Sequence, residues 1–559
     1  MNQPTPAIVA QSAVRRLPRL ALVLFCLAYV LPGFLGRGPW KNADIAAFGY
    51  MAELANGHAA WLNPTLLGRP PEFDALLPYW LGAWAMQIAP GWVTPDFAAR
   101  VPFALLLVLT LVATWYAVYY LARSPQAQPV AFAFGGEANP TDYARAMADG
   151  GLLALIACLG LAQLSHETTP AVAQIGFTTL TLFGMAATPW RTLAPAVALL
   201  LGLAGMALSG APAMALLLAT GGVAINLLDR NPATRQRSRR WALCMALLAC
   251  AVAALAWALD LYRWRLGQSS GAQDWRSMGR LLLWFTWPAW PLALWTLWRW
   301  RRQLTSRHVA LPLWGLLVSV GTTLSTPSAD RSLLLGLPAL AALAAFALPT
   351  LQRSVTALID WFTLLFFSGC AVTIWVVWIA MQTGVPAKPA ANVARLAPGF
   401  EPGFSLVAFA VALGATLCWA WLVKWRAGRH RAAIWKSLVL PAGGAALCWL
   451  LLLTLWLPLL DYARSYKKLA LDVARATGTP ECVEVHGISL AQVAALRYHG
   501  QLTLRPAGVK ASCPWLVVAP ASLEALSVGL DMRQWALHAT VRRPADADDN
   551  LLLYQRPVP

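Results

Sequence analysis

Long apolar runs, each about twenty residues and nearly free of charge, recur from one end of the chain to the other. They fall near 20–36, 100–123, 149–165, 170–187, 192–208, 211–228, 241–260, 281–298, 308–325, 332–350, 355–382, 404–424 and 437–458. A helix of that length crosses a hydrocarbon layer of about 30 Å, and in lipid only a helix or a closed barrel satisfies its own backbone. The pattern predicts an all-α polytopic membrane protein of about thirteen transmembrane helices.

Between the first two runs, the stretch 37–99 is mixed. Residues 45–54 suit a short helix, and 76–88 is apolar and aromatic but too short to span. Helices lying at the membrane surface are expected here, with Trp80, Trp84 and Trp92 in the interfacial belt. The stretch 383–403, rich in Pro and Ala, reads as an extended outer loop. From about residue 460 the pattern turns soluble. Helices are expected over 465–476 and 489–498, and short strands over 482–485, 502–504, 515–518 and 551–554. The predicted organisation is a membrane domain over 1–459 and a small α/β domain over 460–559, with no internal repeat.

Composition agrees with a membrane protein. The 559 residues are 58% hydrophobic and 12% charged, too little charge to cover a soluble surface. The net charge of +19 first suggests nucleic acid, but its distribution excludes that partner. Basic residues gather between spans, at Arg230 to Arg240, Arg299 to Arg307 and Lys424 to Lys436, while alternate loops lack such clusters. That is the positive-inside pattern, and it argues against 76–92 as a further span, which would turn the clusters outward.

Arg15, Arg16 and Arg19 precede the first run as in a signal peptide, but no small-residue cleavage site follows. An uncleaved first helix with a cytoplasmic N-terminus is expected. An odd number of spans then puts the C-terminal domain on the opposite side, the periplasm if this is a bacterial inner-membrane protein. Seven cysteines lie inside apolar runs as small hydrophobes. Cys482 and Cys513 instead begin two predicted strands, where paired strand starts can approach to disulfide distance.

Asp44 is the first candidate for chemistry, a lone carboxylate where the first span opens into a polar loop. On position alone it serves equally as a helix cap or as a reactive acid. Trp40-Lys41-Asn42-Ala43-Asp44 resembles the Trp-Lys-x-Asp-Glu element of the GT-C glycosyltransferases related to protein O-mannosyltransferases and to the aminoarabinose transferase of lipid A, with Ile45 where a Glu often follows. The stretch 61–70, Leu77-Pro78-Tyr79-Trp80 and Ala99-Arg100-Val101-Pro102 continue the resemblance in order, and 331–341 resembles the family's later Arg- and Pro-containing element.

The resemblance implies Asp44 as catalytic carboxylate, with Lys41, Tyr79 and Arg331 at the substrate. Glu72 and Asp74 fall where relatives carry a Glu-Lys pair, and two acids there suit a divalent metal cation. No nucleotide cofactor is implied. His166 and Glu167 occupy a short outer turn and suit a metal, an acceptor or simply the water interface. Arg331 offers a planar fork to a phosphate. Arg263, Arg265, Arg276 and Arg280 lie on the side that should be poor in cations; an anionic lipid-linked donor or acceptor would explain the exception, with Arg265 as the contact, and so would anionic headgroups without any catalysis. His58, His308, His430, His486, His499 and His538 show no metal spacing and read as surface or packing residues.

The expected function is transfer of a sugar from undecaprenyl or another polyprenyl phosphate to a cell-envelope acceptor (lipid A, another surface glycan or a protein), with inversion at C1 and the enzyme monomeric. A lipid-sugar transporter or flippase is the rival from another class, and predicts paired half-chains and ionisable groups at mid-span, neither of which is present in the sequence. A catalytically degenerate lipid-binding relative is the third reading.

Overall fold

Seven helices among the described residues are long and apolar enough to cross a membrane, and Arg19–Phe34, Leu193–Leu208, Pro212–Leu227 and Leu337–Thr350 form shorter apolar ones. The structure, a computed structural model, describes residues 5–72, 74–229, 232–262, 272–326, 329–428, 433–478, 480–508, 512–523 and 532–556. Every predicted apolar run falls on helix, with four interruptions, the last at Trp456 between Lys436–Leu455 and Leu457–Arg464. The run 149–165 is the end of Pro140–Ala157 and a separate turn Leu161–Leu164. The run 281–298 divides into Ala272–Phe285 and Ala289–Arg299, and 332–350 is broken at Gly336 between Ala329–Leu334 and Leu337–Ala347.

The chain forms two compact units. The first gathers Met1–Phe34, Phe103–Thr373 and Val407–Thr454. Its centre is Leu337–Ala347, a helix of Leu, Ala, Pro and Phe that is buried on every face. A helix apolar all round belongs inside a bundle, and two side chains fasten it there. Thr296 Oγ1 donates to the Leu343 carbonyl at 2.7 Å and Trp300 Nε1 to that of Phe346 at 3.0 Å.

The second unit gathers Leu35–Pro102, Ile374–Leu406 and Leu455–Pro559. The expected short helices are Ala43–Ala55 and Leu77–Ile88. Twelve residues rise about 18 Å, too little to span. Close packing here needs glycine. A Cβ on Gly82 would lie 2.2 Å from Met51 Sδ, and one on Gly49 would lie 2.7 Å from Ala494 Cβ on helix Leu490–Tyr498. An ion pair between Glu53 and Arg497 joins the same two helices.

The unit carries a sheet of five strands, β1 (Val483–His486), β2 (Leu504–Pro506), β3 (Trp515–Val518), β4 (Ala536–Arg543) and β5 (Asp546–Gln555), in the order β2-β1-β3-β5-β4. The first three pair in parallel and the rest antiparallel. Residue 483 pairs with 515, which brings the strand starts together, and Cys482 is joined to Cys513 across a Cα separation of 5.4 Å.

Two expectations are corrected. The stretch 383–403 contains the helix Ala387–Leu396, since its alanines outweigh prolines confined to the cap and first turn. β4 was absent from the predicted strands because, as an edge strand with most residues exposed, it lacks apolar alternation.

Candidate active site

Asp44 stands in the first turn of Ala43–Ala55, just after Asn42, which adopts φ 68° to turn the loop into the helix. The helix's apolar face (Ile45, Phe48, Met51 and Leu54) is buried, which fixes the side on which Asp44 projects. Its carboxylate Oδ2 accepts from the Trp40 backbone N–H at 3.0 Å and from Arg37 Nη1 at 2.7 Å. Both side chains are sealed, at 3% and 2% exposure. The acid does not cap the helix, whose N-cap is Asn42 with no side-chain cap bond; it reaches back to the preceding loop and faces a cation. Arg37 in turn donates to the Gly38 carbonyl at 3.2 Å and lies 4.6 Å over the Trp40 ring.

Arg37 lines a cavity of about 660 Å³ within the second unit. Its walls come from three stretches of chain: Gly36 to Gly38, Thr94 to Arg100, and Asp461 to Gln501. Arg100 pairs with Asp96, whose Oδ1 also accepts from the Tyr498 hydroxyl at 3.1 Å. Arg37 and Arg100 are close enough to repel each other. Arg37 and Arg100 both line the hollow, and each guanidinium has its own carboxylate to limit the cost of burial. Asp461, Lys467 and His499 complete the charged wall. Burial, reinforced by the Lys467 ammonium, holds the His499 imidazole down at about 4, so it is neutral at ordinary pH.

Asp44 itself does not line this cavity; it stands behind Arg37. Lys41 reaches Asp546 at 3.4 Å, with both side chains about one-third exposed. Tyr79 is buried against Tyr50, ring centroids 5.4 Å apart, and Tyr50 donates to the Pro70 carbonyl at 2.9 Å. Burial, with Tyr50, Glu72 and Asp74 nearby, pushes the Tyr79 hydroxyl well above its usual range, so it stays protonated.

Glu72 is exposed and Asp74 half-buried. No group of three or more His, Cys, Asp or Glu suited to a metal occurs among the described residues. Glu72 and Asp74 would supply only part of a hard cation's oxygen shell, with water and a substrate phosphate supplying the rest, and no step is routed through a cation.

In the first unit, Arg331 and Glu167 meet at 3.5 Å, with side chains 22% and 12% exposed. Arg331 Nε is buried with no hydrogen-bond acceptor among the described residues. His166, expected beside Glu167 at the substrate, is 1% exposed and packs on Tyr29, Phe34 and Trp449. Its Nε2 lies 3.0 Å from the Tyr29 carbonyl and its Nδ1 faces that of Ala162. That corrects the substrate-contact expectation for His166: both ring nitrogens are engaged by its surroundings. Arg265 lies outside the described residues.

The sequence reading missed Arg37, Asp96, Asp461, Lys467 and Tyr498, and took His499 for packing. Arg37 sits seven residues before Asp44 and was within reach of pattern reading; the others converge only through tertiary packing.

No family model matches the chain, and no curated protein matches it in sequence. Two solved structures match it in fold. ArnT from Cupriavidus metallidurans bound to undecaprenyl phosphate aligns over 96% of each chain at 16% identity, with a TM-score of 0.62. The apo state of the same protein aligns over 96% of each chain at 15% identity, with a TM-score of 0.59. The chain has the GT-C fold of ArnT. At that identity the likeness fixes the architecture, and the roles of individual side chains rest on their own geometry.

Proposed function

We propose that the chain is an integral-membrane glycosyltransferase that moves a sugar from a polyprenyl phosphate carrier to a cell-envelope acceptor, such as lipid A, another surface glycan or a protein. The observation that carries this reading is the charged cavity in a chain of ArnT-like fold, where buried Arg37 and Arg100 face one hollow large enough for a headgroup. The solved ArnT holds undecaprenyl phosphate, which makes that carrier the natural donor to test.

Transfer requires stabilising the negative charge that grows on the departing phosphate, and preorganised guanidiniums supply that without reorganising. Asp44 acts through Arg37, holding its fork toward the cavity, and is a positioning residue in this scheme. Direct displacement at C1 inverts the anomeric centre. In the first unit, Arg331, whose buried Nε has no acceptor among the described residues, is a candidate phosphate contact in its own right. The location follows the charge pattern: a bacterial inner membrane, with the C-terminal segment in the periplasm.

The test is reconstitution in liposomes with undecaprenyl phosphate carrying a radiolabelled pentose or hexose, together with mass spectrometry of envelope lipids from cells with and without the protein. Sugar-bearing lipids that depend on the protein, and are lost with Arg37→Leu, are expected. Identical lipids in the two strains and no transfer in liposomes would refute the reading.

A further inference from the structure

A hydroxyl acceptor must lose a proton as it attacks, and the cavity offers few groups to take it. Asp96 is paired with Arg100 and accepts from Tyr498. Asp44 is sealed behind Arg37. His499 also lines the wall, where burial and the Lys467 ammonium oppose its taking up a proton.

Asp461 differs from all three. It stands on the helix Leu457–Arg464 and is half-buried on the cavity wall. Its Oδ1 accepts from the Gly38 N–H at 3.0 Å and from Trp40 Nε1 at 3.1 Å. Trp40 is in turn clasped by two guanidiniums, Arg37 at 4.6 Å and Arg464 at 5.3 Å from its ring centre. One carboxylate oxygen is therefore fixed in place, while Oδ2 has no hydrogen-bond donor and no ion-pair partner among the described residues.

We propose that Asp461 is the general base of the transfer, and that the acceptor attacks through a hydroxyl oxygen. The inference rests on the glycosyltransferase reading and adds the proton acceptor and the class of nucleophile. The hydroxyl proton passes to Asp461 Oδ2 as the acceptor oxygen bonds to C1. The bond from C1 to the phosphate oxygen breaks, and its electron pair leaves with the polyprenyl monophosphate. The protonated carboxyl then returns its proton to water in the cavity. An acceptor phosphate would already be ionised, would need no base, and would meet the like charge of Asp461.

Asp461→Asn separates chemistry from structure, because the amide oxygen still accepts from Gly38 and Trp40. The assay uses undecaprenyl phosphate bearing a radiolabelled sugar with the cell's own envelope glycolipid extract, and binding of undecaprenyl phosphate is measured separately. The expected result is a fall in kcat of about 10²–10⁴-fold with carrier affinity unchanged, partial recovery with Asp461→Glu, and a product whose sugar is on a hydroxyl and stable to mild acid. If the wild-type protein transfers nothing, the proposed function itself fails. If the wild type transfers but Asp461→Asn is within threefold of it, or loses carrier binding equally, the base assignment is overturned while the function stands. An acid-labile product on phosphate overturns the hydroxyl acceptor.

Discussion

Replacing Asp44 by Asn removes a charge and little volume. The Asn oxygen can still accept from the Trp40 N–H, but the Arg37 guanidinium is left among side chains only 2–3% exposed without its 2.7 Å partner. Its remaining contacts include the Gly38 carbonyl and the Trp40 ring. Removing one member of a buried ion pair costs about 3–5 kcal/mol, because the other charge stays desolvated. At the lower end, that raises the local opening constant by roughly a hundred-fold.

Hydrogen exchange reads this locally. The amides of Trp40, Ile45 and Ala46 donate to Asp44 Oδ2, the Trp40 carbonyl and the Asn42 carbonyl, so all three report the junction. They should exchange about a hundred-fold faster in Asp44→Asn. The double variant Arg37→Leu with Asp44→Leu should recover most of that protection, since an apolar pair of similar volume replaces a costly ionic one. Sugar transfer should be lost in both, because neither presents a fixed Arg37 guanidinium to the cavity. Wild-type exchange and wild-type transfer in Asp44→Asn would show that Asp44 does not hold Arg37 in a working position.

Other expectations follow from separate contacts. Arg331→Ala should weaken binding of undecaprenyl phosphate at least about tenfold, the scale of a lost charged hydrogen bond, and unchanged affinity would remove Arg331 from the phosphate. Replacing Cys482 and Cys513 by Ser opens a loop of 31 residues and should destabilise the sheet by about 3–4 kcal/mol, seen as faster proteolysis within 460–556; equal cleavage rates would contradict it. Because folding depresses the His499 pKa from 6.5 to about 4, the unfolded chain takes up this proton first. The stability of the neutral imidazole is therefore whole above pH 6.5 and lost as pH falls toward 4. Exchange in Leu490–Tyr498 should show that acid limb, and His499→Gln should flatten it. A periplasm-active reporter fused after Leu460 should be active, whereas a silent one would place the C-terminal segment on the other side.

Apolar periodicity alone was enough for the helices, because a segment that must satisfy its backbone in lipid has almost no alternative to helix. It also located the short helices around Asp44 and most of the sheet, since β3 is a continuous apolar run and β1 alternates Val with Glu and His. The exposed strand β4 and the alanine helix Ala387–Leu396 escaped, one for want of a buried face and the other because Pro and Ala also describe a loop. Asp44 stood out in the sequence as a solitary acid at a boundary. Its distance from the cavity did not, for the cavity walls are set by packing between segments hundreds of residues apart. Asp461 contacts Gly38 across 423 positions and Tyr498 contacts Asp96 across 402. Local patterning carries no information at that range, so the architecture was written along the chain, while the choice of which acid faces the cavity was made only by folding.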